Sequence, residues 1–408
     1  MPGIQGTQQG VNVTMQATAT SQETEQPKAT PVTPVIGKGL KYVVLSAHDY
    51  RSPRKANIHF ITEQLAQRGE ARFFSLRYSF LSRYTNDPRL SLDARANKIE
   101  THNGVQCYLW KTAIHPFNTR KPFLRLGEDV LFKLYVASAS RVLKDWLASA
   151  DVVLFESGVA PIFFDLLKKL NPDAKTIYIA SDDLETINVA EFVKQTFQRI
   201  APSMTSIRLP SKALANELPS TRNAYFIPHG INHGLAGTGD PSPYGEGVHA
   251  VSVGSMLFDA DFFIEASRRF PEVHFHIIGC GQPPHPEYGD NVTVYGEMPH
   301  DETVRYIKHA RFGIAPYRSE SVPPYLADTS MKLIQYDFLG LPAVCPAAVT
   351  GDYSSRFAYE PGNPESIEAA INKALEAPHE SSRRHLNWSE VTDRVLAPSE
   401  FDDTRMGI

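Results

Sequence analysis

The sequence has few of the residues and runs that mark metal sites, disulfide scaffolds or membrane spans. It has only three cysteines, Cys107, Cys280 and Cys345, which are far apart and lie in or beside apolar runs. This spacing predicts neither a metal site nor a disulfide framework, and it favours a reducing cytoplasm. No uninterrupted apolar run approaches the roughly 20 residues that a membrane-spanning helix needs. We therefore expect any membrane contact to be peripheral.

Motifs for metals and nucleotide cofactors are also missing. The 14 histidines form no HExxH pair, and no GxGxxG follows a predicted strand. Asp259 and Asp261 make a DxD pattern of the kind that binds metal in some enzymes. The pair begins a predicted helix, however, where two carboxylates complement the helix dipole. We expect neither a metal nor a cofactor.

Charge is unevenly distributed along the chain. The formal net charge of −4 does not indicate a nucleic-acid partner. Residues 41–150 contain 18 lysines and arginines against nine acidic residues, so the rest of the chain is acidic. A basic half predicts contact with a polyanion or an anionic membrane surface. A solvated basic face is the simpler alternative.

From about residue 40, short apolar runs alternate with amphipathic segments of helical length, which predicts an α/β fold with helix-covered parallel sheets. In the first half, strands are predicted at 42–48, 72–78, 152–157, 176–181, 206–211 and 224–230. The helices are predicted at 57–69, 160–170, 185–200 and 212–218. The second half predicts strands at 249–254, 273–279, 292–296, 312–317 and 342–346, and helices at 260–269, 301–310, 330–339, 364–376 and 389–396.

Composition also predicts the domain boundaries. Residues 1–38 are rich in Thr, Gln, Pro and Gly, which predicts a disordered tail. Residues 234–247 combine Gly, Pro and Ser without periodicity, which predicts a linker. We therefore expect doubly wound, Rossmann-like domains at 39–233 and 248–388, with a segment at 389–408 that can cross back to the first domain. Ligands would bind in a cleft between the carboxyl ends of the strands.

The predicted helix at 330–339 has well-marked ends and an unusual cation. Ser330 or Thr329 can cap its start, while Gly340 and Pro342 supply a stop. Lys332 lies in the first turn, where the helix dipole disfavours a cation by roughly a few tenths of a kcal/mol. A phosphate or carboxylate bound between the lysine and the backbone amides would reverse this penalty. A lysine that extends into water is the alternative.

Six segments carry a resemblance to a known family. SVG (252–254), HIIGCG (276–281), YGEMPHDETVRYIKHARFGIAPY (295–317) and SMKLIQYDFLGLPAV (330–344) occur in the order seen in GT-B glycosyltransferase donor domains. The first half adds YVVLSAHDYRSPRKANIHFITEQLAQRG (42–69) and RFFSLRYSFLSR (72–83). Together they resemble the GumK-like xanthan-type glucuronosyltransferases over nearly all of residues 41–396. The resemblance implies a GT-B fold with an acceptor domain followed by a UDP-sugar domain.

The family resemblance implies an inverting, metal-independent transfer of glucuronic acid from UDP-glucuronate. The implied acceptor is a mannose-terminated oligosaccharide on a polyprenyl diphosphate, used in exopolysaccharide assembly. The implied location is peripheral, at the cytoplasmic face of a bacterial inner membrane.

Asp182 follows the strand TIYIAS and matches the family's catalytic aspartate, so it would deprotonate the acceptor hydroxyl. From the residues alone, the capping-box spacing between Asp182 and Glu185 favours a structural role. Asp183 is a competitor for either role.

The resemblance further implies a donor surface in the second domain. Lys332 would neutralise the leaving diphosphate or the glucuronate carboxylate. The other matching donor positions are Ser330, Met331, Gln335, Tyr317, Met256, Glu297 and Glu217. The two methionines can instead be ordinary apolar lining. Arg318 is an additional anion partner or a surface arginine.

Two basic segments of the first half are acceptor or membrane candidates. The loop 48–57 follows the first strand, so Arg51, Arg54 and Lys55 would hang over the cleft near an acceptor diphosphate. Residues 116–147 interleave basic and apolar side chains, which suits a membrane interface. The basic candidates in this segment are Arg120, Lys121 and Arg125. The alternatives are a solvated loop and, for the apolar residues, packed core.

Three other functions stay open at this point. The first is a GT-B transferase that uses another sugar nucleotide, and the second is a sugar-nucleotide epimerase of the same fold. The third is a non-catalytic UDP-sugar-binding scaffold.

Overall fold

The computed structural model describes residues 35–406 with a few gaps. The gaps are Arg54, Asn86, Thr119, 121–124, Ser220, Thr221 and 319–321. The side chain of Glu217 and residues 1–34, most of the predicted tail, also lie outside the description. Within the described residues the chain forms two parallel α/β sheets, as predicted.

The first sheet is built around β1, whose apolar residues from Tyr42 to Leu45 are fully buried. Strands buried on both faces are typical of parallel sheets that helices cover on each side. The strand order is β3-β4-β2-β1-β5-β6-β7-β8, and every neighbouring pair is parallel except β3 with β4. The bounds are β1 Lys41–Ser46, β2 Glu70–Ser79, β3 Ile99–His102, β4 Val105–Thr112, β5 Val152–Glu156, β6 Lys175–Ile179, β7 Ser206–Leu209 and β8 Ala224–Phe226.

Five helices of the first half are described. They are α1 Asn57–Ala66, α2 Arg125–Ala137, α3 Arg141–Ala148, α4 Phe164–Leu170 and α5 Glu191–Ile200. The predicted helix at 185–200 begins only at α5, and the predicted helix at 212–218 is a 3₁₀ turn, Lys212–Glu217. The sequence reading also missed the β3–β4 hairpin. β3 has only four residues, IETH, without apolar alternation. β4 is eight residues long, and its alternating Val105, Cys107 and Leu109 were a usable signal.

The second sheet has the order β11-β10-β9-β12-β13-β14, and all its neighbouring strands are parallel. Its strands are β9 Val248–Val253, β10 Val273–Ile278, β11 Val292–Tyr295, β12 Phe312–Ile314, β13 Ala343–Pro346 and β14 Arg356–Tyr359. The helices are α6 Asp261–Arg269, α7 His300–His309, α8 Leu326–Thr329, α9 Met331–Phe338, α10 Pro364–Glu376 and α11 Trp388–Leu396. Only β14 was absent from the predicted strands of this half.

The last helix returns to the first half of the chain. Trp388 at the start of α11 stacks on Phe60 of α1, with 4.8 Å between ring centroids. The guanidinium of Arg68 pairs with Asp393 at 3.0 Å and donates to the carbonyl of Ser389. These contacts tie α11 to the outer face of the first sheet. The exact domain boundaries at 39–233, 234–247, 248–388 and 389–408 stay a prediction.

No helix among the described residues is both long and apolar enough to cross a membrane.

Candidate active site

Polar side chains gather at the carboxyl end of the first sheet, where β1, β5 and β6 stop. His48 follows β1, Glu156 ends β5, and Asp182 follows β6. All three line a cavity of about 260 Å³, together with Arg77 from β2. Neighbouring parallel strands end at the same edge of a sheet, so the topology itself brings these residues together.

Glu156 is a buried carboxylate beneath this cavity. It accepts hydrogen bonds from the hydroxyls of Ser46 and Ser181, and His48 Nε2 lies 3.9 Å from its Oε1. Burial raises the pKa of Glu156, and the charge of Asp182 acts in the same direction, while His48 and the serine hydroxyls oppose them. Burial and the charge of Asp182 therefore both favour the protonated form of Glu156.

Asp182 is open to the cavity, although protein atoms surround it closely. Burial raises the pKa of its carboxyl, Asp183 raises it further, and His48 opposes the shift. A raised pKa suits a general base, because a carboxylate with an ordinary pKa near 4 is a weak acceptor of protons. The backbone N–H of Asp182 donates to Ser157 Oγ at 3.3 Å, which fixes the start of the loop.

Asp183, not Asp182, makes the structural turn that the sequence predicted here. Its Oδ1 accepts from the Glu185 amide at 2.6 Å, and its Oδ2 accepts from the amide and hydroxyl of Thr186. No helix begins at this point, since α5 starts eight residues later at Glu191. The capping-box interpretation of Asp182 and Glu185 is therefore wrong, and the Asp182 carboxylate is left facing the cavity.

The carboxyl end of the second sheet carries the predicted donor residues. Met256 follows β9, Glu297 follows β11, Tyr317 follows β12, and α9 contributes Ser330 through Gln335. Ser330 caps α9, because its Oγ accepts from the Leu333 amide. The same hydroxyl forms a 2.6 Å hydrogen bond with Tyr317 Oη. Tyr317 is fully buried, so it supports the start of α9 from below.

Lys332 lies in the first turn of α9, as predicted, but it does not extend into water. Its Nζ is buried and has no hydrogen-bond partner among the residues that the structure describes. The ammonium lies 5.3 Å from the centroid of the Tyr317 ring. Burial lowers the pKa of Lys332 to about 7. An anion bound beside Nζ would remove this penalty.

The position of α9 is fixed from beneath and at its far end. The ring of Tyr336 lies against Gly313 of β12, where a Cβ would meet the ring at 2.5 Å. Burial alone would raise the pKa of Asp337. Hydrogen bonds from His385, Ser355 and Ser382 instead hold it well below its usual range. These buried contacts hold Lys332 in place without pairing its charge.

The remaining donor candidates lie around α9. Gln335 Nε2 lies 3.1 Å from His300 Nε2 at the start of α7. Met256 and Met331 are 59% and 42% exposed, so neither is ordinary core lining. Arg318 is exposed and donates through Nε to the Phe258 carbonyl at 2.8 Å.

Two further predicted positions have less structural definition. Glu297 is exposed and lies beside Gly279 of the β10 loop. Glu217 ends the 3₁₀ turn after β7, at the edge of the first sheet, and its side chain lies outside the described residues.

The basic loop 48–57 differs from its prediction at Arg51. The guanidinium is buried and donates to both Asp49 oxygens at 2.8 Å, and to Glu100 at 2.7 Å. An arginine held by two carboxylates is a structural group, so the expectation that Arg51 hangs over the cleft is not supported. Lys55 Nζ donates to the Tyr50 carbonyl at 2.6 Å and lines a second cavity of about 750 Å³. Arg54 lies outside the described residues.

Two of the three basic candidates of the second segment are described, and both are exposed. Arg120 is exposed, and its own backbone has a left-handed φ of 56°. Arg125 at the start of α2 lies 3.7 Å from Glu191. Lys121 lies outside the described residues.

The DxD pattern has a structural explanation. The Asp261 amide donates to Asp259 Oδ1 at 3.2 Å, and α6 begins at Asp261. Across the described part of the chain, no group of three His, Cys, Asp or Glu side chains could hold a metal ion.

Sequence reasoning missed Glu156 and Arg77. An acidic residue at the end of the otherwise apolar run VVLFE was a usable signal for Glu156. Arg77 lies inside a strand-like run, and its backbone has a left-handed φ of 57°. Nothing in the letters RFFSLRY predicts that turn.

We expect the substitution Lys332→Met to stabilise the unliganded protein, because it removes a buried and unpaired cation. The pKa of Lys332 is about 7 in the folded protein against an ordinary value of 10.5, so the unfolded chain holds this proton more tightly. The gain in the free energy of unfolding should be about 3–5 kcal/mol below pH 7. It should decrease as the pH rises from 7 towards 10.5. Urea unfolding across this pH range measures it.

Lys169→Met, at an exposed lysine of α4, is the matched control and should change stability little at any pH. A gain for Lys332→Met that does not vary with pH would contradict the assignment of a buried cation.

Comparisons with known proteins identify the family of this chain. Residues 44–210 match the family model described as the N-terminal domain of glucuronosyltransferase GumK, and residues 248–377 match glycosyl transferases group 1. A Xanthomonas campestris pv. campestris protein described as UDP-glucuronate:glycolipid 2-beta-glucuronosyltransferase is 60% identical over 365 residues, 90% of this chain and 91% of that protein.

Solved structures with little sequence identity share the fold. Anabaena Alr3699/HepE, in complex with UDP and glucose, has a TM-score of 0.51 at 12% identity, covering 88% of this chain and 95% of that one. A UDP-forming trehalose-phosphate synthase from Burkholderia xenovorans has a TM-score of 0.55 at 11% identity, with the same coverage. These likenesses confirm the predicted GT-B fold. The high-identity relative, together with the family model, shows that the chain belongs to the GumK family of glucuronosyltransferases.

Proposed function

We propose that this protein transfers glucuronic acid from UDP-glucuronate to a mannose-terminated oligosaccharide on a polyprenyl diphosphate, with inversion at the anomeric carbon. The observation that carries the proposal is that each sheet presents one charged side chain that makes no ion pair among the described residues. Asp182 is a carboxylate with a raised pKa in the acceptor half, and Lys332 is a buried cation without a described partner in the donor half. The first group accepts a proton, and the second requires an anion.

The reaction is a single displacement. Asp182 takes the proton of the mannose hydroxyl as its oxygen attacks the anomeric carbon of the glucuronosyl group. The bond between that carbon and the β-phosphate oxygen breaks, and UDP leaves with the bonding electrons. Attack on the face opposite the leaving group converts the α-linked donor into a β-linked product. Hydrogen-bond donors placed where charge develops lower the barrier to such a step.

Lys332 supplies the cation for the donor without a metal. The first N–H groups of a helix have no intrahelical partner, so the start of α9 adds backbone donors beside the lysine. The donor carries two kinds of anion, a diphosphate and a sugar carboxylate. A neutral hexose would leave Lys332 with the diphosphate alone, which supports glucuronate as the preferred sugar. We propose that neither a metal nor a cofactor takes part.

The acceptor half also supports a transferase over an epimerase or a binding scaffold. An epimerase needs no second substrate, yet the first half has cavities of about 260 and 750 Å³ in addition to the donor surface. A carboxylate with a raised pKa at the mouth of such a cavity is typical of a catalytic site, and a binding scaffold does not require one.

A membrane contact at the cytoplasmic face of the inner membrane belongs to the same proposal. Leu126, Val130 and Leu134 of α2 are 79%, 49% and 53% exposed and lie on one helical stripe. Exposed apolar stripes on a basic domain suit an interface of anionic lipid. A peripheral location would bring the acceptor half to its lipid-linked substrate.

The substitution Asp182→Asn should lower kcat roughly 10²–10⁴-fold, because it removes the general base but keeps the shape of the site. Binding of UDP should be unchanged. Asp183→Asn is the matched control, since its amide oxygen can still accept from the Glu185 amide, and it should keep most of the activity. Initial rates with UDP-glucuronate and a lipid-linked mannosyl acceptor measure both variants.

Equal losses for Asp182→Asn and Asp183→Asn would reject Asp182 as the base. Faster transfer by the wild-type protein from UDP-glucose than from UDP-glucuronate would reject the donor assignment.

Replacing both Leu126 and Leu134 with aspartate should reduce binding to phosphatidylglycerol vesicles, because it places charge on the apolar stripe. Leu170→Asp, at an exposed leucine of α4, is the control and should leave binding unchanged. Co-sedimentation with the vesicles measures all three proteins. Equal binding by the wild-type and the double variant would exclude α2 as the contact.

A further inference from the structure

Arg77 has a backbone conformation that arginine rarely adopts. Its φ is 57°, in the left-handed region, and the register of β2 against β4 shifts between Ser75 and Tyr78. This conformation costs a residue with a side chain roughly 1–2 kcal/mol. Such strain persists only where neighbours enforce it, and it is concentrated at functional sites. An extra residue in a strand also re-aims its side chain.

Two buried groups enforce this turn. The Arg77 amide donates to Tyr135 Oη at 2.9 Å, and its carbonyl accepts from the guanidinium of Arg89 at 3.1 Å. Tyr135 is fully buried and Arg89 nearly so. The backbone is therefore held on both sides, while the side chain is turned out of the sheet.

The side chain of Arg77 is turned into open space. It lines both the 260 Å³ cavity that holds Asp182 and the adjoining 750 Å³ cavity. Its guanidinium forms no hydrogen bond or ion pair with any other residue in the described ranges. A permanently charged guanidinium presented to a cavity in this way is suited to bind an anion in a bidentate manner.

The walls of the larger cavity carry a surplus of positive charge. The cations Lys55 and Arg77 line it, with further polar groups from His115, Ser52 and Thr85. Burial lowers the pKa of His115, so its ring adds a neutral donor and not a positive charge. Two carboxylates also line it, but each is already paired. Asp49 is bound by Arg51 at 2.8 Å, and Asp87 is bound by Arg89 at 2.7 Å.

The geometry indicates which anion would bind. Arg77 is on β2 and Asp182 follows β6, so the strands that carry them are three strand spacings, about 14 Å, apart in the sheet. A short oligosaccharide spans this distance. The donor diphosphate has its own cation, Lys332, in the other half of the protein. The anion at Arg77 is therefore best supplied by the far end of the acceptor.

Apolar side chains follow Arg77 directly along the chain. Phe80, Leu81 and Tyr84 are 56%, 50% and 71% exposed. These side chains are suited to contact a hydrocarbon chain that leaves the cavity, whereas a free phosphate would make no apolar contact with them.

We propose that the 750 Å³ cavity binds the diphosphate of the lipid-linked acceptor, with Arg77 as its principal ligand and Lys55 and His115 as supporting donors. This inference rests on the proposed function. The acceptor then runs from its reacting mannose at Asp182 to its diphosphate at Arg77, and its lipid leaves past Phe80. Because both ends of the oligosaccharide are bound at fixed points, the protein would select acceptors of one length.

The test compares two acceptors with the same sugars, one on a lipid diphosphate and one on a neutral alkyl chain. Wild-type protein should show a KM roughly ten- to hundredfold lower for the diphosphate acceptor. Arg77→Ala should raise that KM to the value of the neutral acceptor, without changing the KM for UDP-glucuronate. Arg77→Lys should recover part of the difference in KM between the two acceptors, because it keeps the positive charge but loses the paired N–H donors of the guanidinium.

Arg141→Ala, at a 94% exposed arginine of α3, is the control and should behave as wild type. Alanine keeps the Cβ and therefore the backbone strain, so thermal unfolding of Arg77→Ala should match wild type. An equal change in KM for both acceptors, or no change for either, would overturn the assignment.

A binding experiment separates this inference from the proposed function. Inorganic pyrophosphate should bind to protein whose donor site is saturated with UDP, and Arg77→Ala should weaken that binding at least tenfold. If wild type transferred no sugar but pyrophosphate binding still required Arg77, the function would fail while the anion site stood. Unchanged pyrophosphate affinity in Arg77→Ala would overturn the site itself, as would wild-type protein that binds no pyrophosphate.

Discussion

The site depends on one constraint: charged groups are held in confined spaces without opposite charges beside them. Lys332, Asp182 and Arg77 each lack a strong partner in the described structure, and burial shifts the pKa of all three. Desolvated charge is costly unless something compensates it. Each substrate anion or proton therefore gains more from binding here than it would at a solvated surface. Paired charges such as Arg51 with Asp49 lie nearby, but they are structural.

The fold tolerates these groups because the elements that carry them are anchored elsewhere. Tyr336 packs on Gly313, and Asp337 receives hydrogen bonds from the segment that leads into α11. Helix α11 in turn packs on α1 of the first half through Trp388. The Ser211 hydroxyl also donates to Asp328 at 2.7 Å, just before α9. The start of α9 is therefore tied both to its own sheet and to the acceptor half.

Apolar periodicity was sufficient to predict both parallel sheets, and the caps of α9 were visible at Ser330 and Gly340. The sequence could not separate Asp182 from Asp183, because both fit a turn, and only hydrogen-bond geometry shows which carboxylate is occupied. It also could not show that Arg51 forms ion pairs with Asp49 and Glu100, because Glu100 lies on the unpredicted β3 strand. The left-handed backbone of Arg77 is imposed by Tyr135 and Arg89, which are distant from it in sequence.

The central claim is that transfer is a single displacement assisted by Asp182 and Lys332 without a metal. The most direct measurement is the anomeric configuration of the product, read from the proton coupling of the new linkage by NMR, after reaction in the presence of excess EDTA. A β-linked glucuronosyl product should form at the same rate with and without the chelator. An α-linked product, or loss of activity in EDTA that divalent cations restore, would contradict the central claim.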